Sequence, residues 1–209
     1  LKPSSIRENI WTVPNILTFT RLISAPIIGY LVVNERPVLA LSLFTYSCVT
    51  DYVDGFIARK YKMQTVLGSV IDPMADKALM ITLTCCLAQS GDMPLYLATL
   101  ILGRDLLLGF SALYYRYISL PLPKTFGRFW DFGIPSAEVH PTTISKYNTA
   151  LQMLYIGLAM VNPVLSQSIE PAAYETFAIS MNYYGYLVGT TTVLSGLSYV
   201  FSSKAVKIL

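Results

Sequence analysis

Six apolar stretches of roughly twenty residues alternate with short polar or proline-bearing breaks along the chain. At 1.5 Å rise per residue, each is long enough to cross the ~30 Å hydrocarbon core of a bilayer. The pattern predicts helices over 14–33, 38–58, 65–89, 95–115, 145–164 and 174–201. Pro14 suits a helix start. Asn34-Glu35-Arg36-Pro37 and Ser90-Gly91-Asp92-Met93-Pro94 read as tight turns, and Asn162-Pro163 and Glu170-Pro171 bracket the break before the last helix. Pro73 falls within the third helix and directly after Asp72, so either Asp72 caps a helix that starts there or the helix runs through and bends; the bend is the expectation. The longest polar connection, 116–145, is rich in Pro, Gly and aromatics and carries Lys124 and Arg128. The expected fold is all-α: a polytopic membrane protein, one bundle of about six transmembrane helices, forming a single domain over 1–209.

The informative positions are those that interrupt the apolar pattern. At about 100° per residue, Asp51, Asp54, Gly55 and Ala58 share one stripe of the second helix. Gly68, Asp72 and Asp76 make another on the third, at four-residue steps. Each stripe pairs acids with small residues that let a ligand approach the backbone. Two such stripes face to face would repel strongly in a low dielectric unless something positive sat between them. Hard divalent cations with oxygen ligands fit that requirement. Asn15, Thr18 and Arg21 step by three and share a face of the first helix. Arg104 and Asp105 lie midway along the fourth, and ionisable residues inside a span are functional candidates by default. Arg104 is suited to neutralising part of the acid cluster or holding a substrate phosphate, and Asp105 to pairing with an arginine. Lys146 and Thr149 share a face at the entrance of the fifth helix.

Composition sharpens the class. Hydrophobic residues make up 54% of the 209 and charged residues 13%, about half of what soluble domains carry. A net charge of +3, with no basic run, excludes a nucleic-acid partner. With six spans, Lys2, Arg7, Arg59, Lys60, Lys62, Arg116, Lys124, Arg128, Lys204 and Lys207 share one side, and only Arg36 stands on the other. The positive-inside rule then places the acids near the cytoplasmic face or its equivalent, the mitochondrial matrix. Cys48, Cys85 and Cys86 lie in apolar stretches and read as packing residues, and His140 as a loop residue. The chain opens on Leu1, with no signal or transit segment visible, and is expected to be a fragment or a mature form.

Acids plus divalent ions imply an anionic ligand, and a diphosphate fits best. Arg59, just beyond the first stripe, would hold it as a fork. Transfer of a phosphorus-centred group needs positioning and charge stabilisation rather than a covalent intermediate. An incoming hydroxyl needs a base, and Asp76, deepest along its helix, is the best placed candidate. A cation-coupled transporter is the alternative from another class; clustering of the acids at one face and the absence of repeated halves weigh against it.

Asp51-x2-Asp54-Gly55-x2-Ala58-Arg59-x8-Gly68-x3-Asp72-x3-Asp76 also matches every fixed position of the CDP-alcohol phosphatidyltransferase signature, so the chain resembles that family. The resemblance implies transfer of a phosphatidyl group from a CDP-linked lipid to an alcohol, with release of CMP. It implies that Asp51, Asp54, Asp72 and Asp76 hold two divalent ions, Mg2+ or Mn2+, and that Asp76 also serves as the base. It further implies that Gly55, Ala58, Arg59 and Gly68 line the CDP moiety, with Asn15 and Thr18 contributing polar groups nearby. Trp11 to Asn15, Gly103-Arg104-Asp105, Tyr115-Arg116-Tyr117 and the run PTTISKYNTALQ over 141–152 carry a further likeness to the eukaryotic, cardiolipin-forming branch. Gly103 departs from that branch, where a serine is expected. The branch implies CDP-diacylglycerol and phosphatidylglycerol as substrates, a homodimer, and a matrix-facing site in the mitochondrial inner membrane. Arg104, Arg116 and Lys146 are then the expected anchors of the acceptor phosphate. Arg104 and Lys146 would serve glycerol 3-phosphate equally well, as in the branch that makes phosphatidylglycerolphosphate.

Overall fold

A computed structural model describes residues 13–60, 66–120, 138–139, 143–201 and 206–207. Six long helices stand where six were expected: α1 (Val13–Val33), α2 (Pro37–Lys60), α3 (Val66–Ser90), α4 (Leu95–Ser119), α5 (Thr143–Ser168) and α6 (Pro171–Phe201). Two-residue strands β1 (Glu138–Val139) and β2 (Val206–Lys207) pair antiparallel and do not alter the all-helical class. The remainder of the 116–145 connection, including Lys124, Arg128 and His140, lies outside the described residues, as do 1–12.

The helix ends follow local chemistry. Pro37 and Pro171 open α2 and α6, where a missing N–H costs nothing and the fixed φ helps. α1 ends by wrapping its last carbonyls: Arg36 N–H donates to Leu31 O at 3.0 Å and Glu35 N–H to Val32 O at 3.2 Å. That pattern needs a left-handed residue, and Glu35 supplies it at φ 54°. Gly91, at φ 87°, does the same service after α3. Pro73 lies inside α3, seven residues past its start, so the helix runs through it and Asp72 is not its cap. The carbonyl four residues earlier loses its helical partner there.

Large apolar side chains are exposed along these helices: Tyr30 at 68%, Leu95 at 71% and Leu107 at 69%. A water-soluble protein covers such a surface, whereas a lipid-facing one needs it. α1 from Asn15, α4 and α5 are each long and apolar enough to cross a membrane. α2 and α3 carry the acids, and α6 is rich in Ser, Thr and Tyr, which lowers their mean hydropathy.

The chain divides into two compact units. The first takes Leu1–Met93 and Gly157–Pro171, and the second Pro94–Ile156 and Ala172–Leu209. In the first unit α1 packs on both α2 and α3. Its buried face repeats at Asn15, Thr18, Arg21, Ala25 and Ile28, the three- and four-residue spacing of one helical stripe. The helices approach closely at Gly29. A Cβ there would stand 2.7 Å from Thr82 Cγ2 and 2.9 Å from Cys86 Sγ of α3. In the second unit a buried polar seam links α5 to α6. Asn148 Oδ1 accepts from Thr191 and Thr192 at 2.9 and 3.1 Å, and Gln152 Nε2 donates to Thr192 Oγ1 at 3.0 Å. The three cysteines are free, as their placement in apolar stretches implied.

Candidate active site

The first unit gathers its polar residues around α1. Asn15, Thr18 and Arg21 are all buried, which the three-residue step anticipated. Arg21 Nη1 meets Asp51 Oδ1 of α2 at 2.7 Å and Asp76 Oδ1 of α3 at 2.9 Å. The hydroxyl of Thr18 donates to Asp72 Oδ1. One turn of α1 therefore ties together three of the four signature aspartates. The Arg21 side chain is only 1% exposed, while those of Asp51 and Asp76 keep 42% and 53%. The guanidinium is thus buried beneath two partly exposed carboxylates.

This geometry bears on the expected metal site. Two carboxylates on different helices bind the same nitrogen, so their oxygens cannot lie further apart than the two contacts together allow. The two carboxylates therefore lie near each other, and the donor set is all oxygen, as Mg2+ and Mn2+ prefer. Among the described residues no group of three or more His, Cys, Asp or Glu side chains is close enough to hold a metal. Arg21 occupies the centre of the described acids, and the side chain of Asp54 lies outside the described residues. The residues fit a divalent cation through Asp51 and Asp76, with Asp72 held at the edge by Thr18. Among the expected donor-binding residues, Gly55 is half-buried on α2, while the side chains of Ala58 and Arg59 and the surroundings of Gly68 lie outside the described residues.

The expected acceptor residues belong to the second unit. Arg104 is buried at 8% exposure. Its Nη1 donates to Asp105 Oδ1 at 2.6 Å, and its Nη2 to Ser195 Oγ at 3.0 Å and to Ser145 Oγ. Asp105 thus pairs with the neighbouring arginine, one of the roles its position suggested. Lys146 follows Ser145 in the chain and is exposed. Arg116 is half-buried twelve residues beyond Arg104 on α4, about 18 Å along the axis, so the fold does not bring these two together.

Three participants were not singled out in the sequence. Ser145 and Ser195 fix Arg104, and nothing distinguishes a clamping serine from a packing one before the helices are docked. Gly29 sets the α1–α3 distance. Ala25-x3-Gly29, a pair of small residues one turn apart, was a legible signal for close helix approach.

A buried arginine joined to carboxylates of two neighbouring helices, in a chain whose helices expose large apolar side chains, is the structural setting of the signature aspartates. The family model for CDP-alcohol phosphatidyltransferase matches residues 11–195, and the chain belongs to that family. It is 51% identical to the cardiolipin synthase (CMP-forming) / mitochondrial hydrolase fusion protein of Schizosaccharomyces pombe, over 94% of this chain and 32% of that protein. It is 40% identical to the probable cardiolipin synthase (CMP-forming) of Drosophila melanogaster, over 94% of this chain and 59% of that one. A chloroplastic CDP-diacylglycerol--glycerol-3-phosphate 3-phosphatidyltransferase 1 of Oryza sativa matches at 32%, over 96% and 60%. The chain spans about a third to three fifths of these relatives. Family membership leaves the transporter reading without support.

Proposed function

We propose that the protein is a CMP-forming cardiolipin synthase, transferring the phosphatidyl group of CDP-diacylglycerol to a hydroxyl of phosphatidylglycerol. The new bond joins that hydroxyl oxygen to the phosphatidyl phosphorus. The bond broken joins the same phosphorus to the oxygen that leaves on CMP. The observation that carries the reading is the convergence of Asp51 and Asp76 on one cationic group, inside the family signature. Greater identity to two cardiolipin synthases than to the glycerol-3-phosphate enzyme supports the choice of acceptor.

Enzymes of this family depend on divalent cations. Asp51, Asp54, Asp72 and Asp76 would hold two, Mg2+ or Mn2+, which when bound neutralise the diphosphate. Asp76 takes the proton of the incoming hydroxyl. Its Oδ1 is engaged by Arg21, which leaves Oδ2 for that proton. Arg59 grips the diphosphate as a fork, with Asn15, Thr18, Gly55, Ala58 and Gly68 lining the donor. Arg104 draws the acceptor phosphate together with Lys146, which follows its partner Ser145 in the chain, while Arg116 stands too far along α4 to share that phosphate. The two units serve as parts of one catalytic domain over 1–209. The proposal extends to a homodimer, and to the mitochondrial inner membrane with the site facing the matrix, which the one-sided basic residues support.

An acceptor competition tests this. Purified protein receives CDP-diacylglycerol, Mg2+ and either phosphatidylglycerol or glycerol 3-phosphate, while CMP and lipid product are followed. Cardiolipin with phosphatidylglycerol alone is the expected result. Product with glycerol 3-phosphate alone reassigns the acceptor, and no CMP with either defeats the proposal. Protease protection of the protein in intact mitochondria checks the location.

A further inference from the structure

A crevice of about 640 Å³ runs between α4 and α6 of the second unit. Its α4 lining extends from 99 to 115 in steps of three and four residues, one continuous stripe. Sixteen residues of helix measure about 24 Å, more than one leaflet's half of the ~30 Å hydrocarbon core. The mouth is apolar and open: Leu107, Val193 and Leu197 are 69%, 45% and 46% exposed. The depth comes from missing side chains, since among the described residues nothing lies within 4 Å of a Cβ built on Gly103 or Gly196. One charged group lines this apolar trough. Arg104 is more than nine-tenths buried, with Asp105 on Nη1 and the two serines on Nη2, and among the described residues its Nε has no hydrogen-bond partner. A buried N–H without an acceptor is costly, and more so on a charged group.

We propose that this crevice seats an acyl chain of the acceptor phospholipid, whose phosphate is drawn to the Arg104 guanidinium. A water-soluble acceptor would use the arginine and leave idle the apolar wall, which runs up to about 16 Å beyond Arg104 along α4. A zwitterionic lipid would fill the wall but bring its own cation beside the guanidinium. A phospholipid with net negative charge uses both features. The inference rests on the acceptor reading above and deepens it: the chain-binding surface is what selects a lipid over glycerol 3-phosphate.

The test is photocrosslinking, which needs no turnover. The protein is placed in phosphatidylcholine vesicles with phosphatidylglycerol bearing a photoactivatable acyl chain. Adducts are expected on peptides of α4 and α6, displaced by unlabelled phosphatidylglycerol and not by extra phosphatidylcholine. Gly196→Leu places a side chain in the crevice, and among the described residues nothing lies within 4 Å of its Cβ. It should cut labelling, and raise KM for phosphatidylglycerol, by about tenfold, with KM for CDP-diacylglycerol unchanged. Gly109→Leu also enters open space on α4 but lies outside the crevice, and should change neither. Labelling spread evenly over all helices, competed equally by phosphatidylcholine, or indifferent to Gly196→Leu overturns the proposal. Specific adducts in a protein that makes no cardiolipin would uphold the crevice and sink the function proposed above; cardiolipin synthesis without such adducts would do the reverse.

Discussion

Gly29→Ala is the smallest change expected to reach the site from a distance. The added methyl would stand 2.7 Å from Thr82 Cγ2 and 2.9 Å from Cys86 Sγ, where ordinary contact begins at 3.4 Å. Both atoms sit one bond from their own Cβ, so neither is the loose end of a long side chain. Relief therefore requires α1 and α3 to part by about half an ångström, or both side chains to leave their rotamers. Overpacking of this kind costs ~1–3 kcal/mol, and the better helix propensity of alanine returns up to ~1 of it. A net loss of about 1–2 kcal/mol follows, or a fall of roughly 2–8 °C in the unfolding midpoint for a chain of this size. The displacement also travels. Arg21 lies eight residues away on the same rigid helix, and it must stay aligned with Asp51 on α2 and Asp76 on α3. Misplacement by 1 Å can cost about a hundredfold in rate, so half that shift predicts about a tenfold lower kcat. The assay is CMP release from CDP-diacylglycerol, with thermal unfolding in the same detergent. Thr82→Ser with Cys86→Ala, which removes both clashing atoms, should restore much of the loss. Gly29→Ala at wild-type stability and rate, or no rescue by the double change, refutes the reasoning.

Other expectations concern the charged groups. Arg21→Gln removes the cation that two carboxylates share and should lower CMP release at least about a hundredfold; Arg21→Lys, which keeps a single nitrogen able to meet both, should retain at least about tenfold more activity than the glutamine variant. Asp76→Asn should abolish turnover while CDP-diacylglycerol binding, measured by titration calorimetry, stays near wild type; near-normal turnover would remove Asp76 as the base. Asp51→Asn should instead weaken Mn2+ binding, read by the electron paramagnetic resonance signal of the free ion, together with metal-dependent donor binding. Thr18→Val loses a hydrogen bond to a carboxylate worth ~1.5–3 kcal/mol, so activity should fall by about ten- to hundredfold, and a change of less than twofold would show that Asp72 holds its place without it.

Much of this protein was legible before its structure. Twenty-residue apolar runs leave little choice of element, and Pro37, Pro94 and Pro171 mark boundaries because proline is tolerated at helix starts. The expected ends were short by two to four residues at α4, α5 and α6, where Arg116, Thr143 and Pro171 are polar or turn-forming yet still helical. The buried face of Asn15, Thr18 and Arg21 followed from spacing alone. The partners of Arg21 did not, because they lie 30 and 55 residues away and depend on how three helices dock. The clamp on Arg104 was hidden for the same reason: Ser145 and Ser195 are 41 and 91 residues from it. Local pattern reports which face a residue occupies; only docking reports what it meets.

The pairing of Arg21 has a consequence for how the chain is made. α1 precedes α2 and α3 along the chain, so where insertion runs from the N-terminal side its arginine meets the bilayer before either carboxylate is beside it to receive it. A lone arginine in the middle of a span disfavours insertion by some 2.5–3.5 kcal/mol. The hydrophobic run around it is apolar enough to tolerate that. Lasting residence of α1 nevertheless depends on Asp51 and, fifty-five residues later, Asp76 arriving beside it. The contact that holds the acids of α2 and α3 is also the one that makes α1 wait for α3.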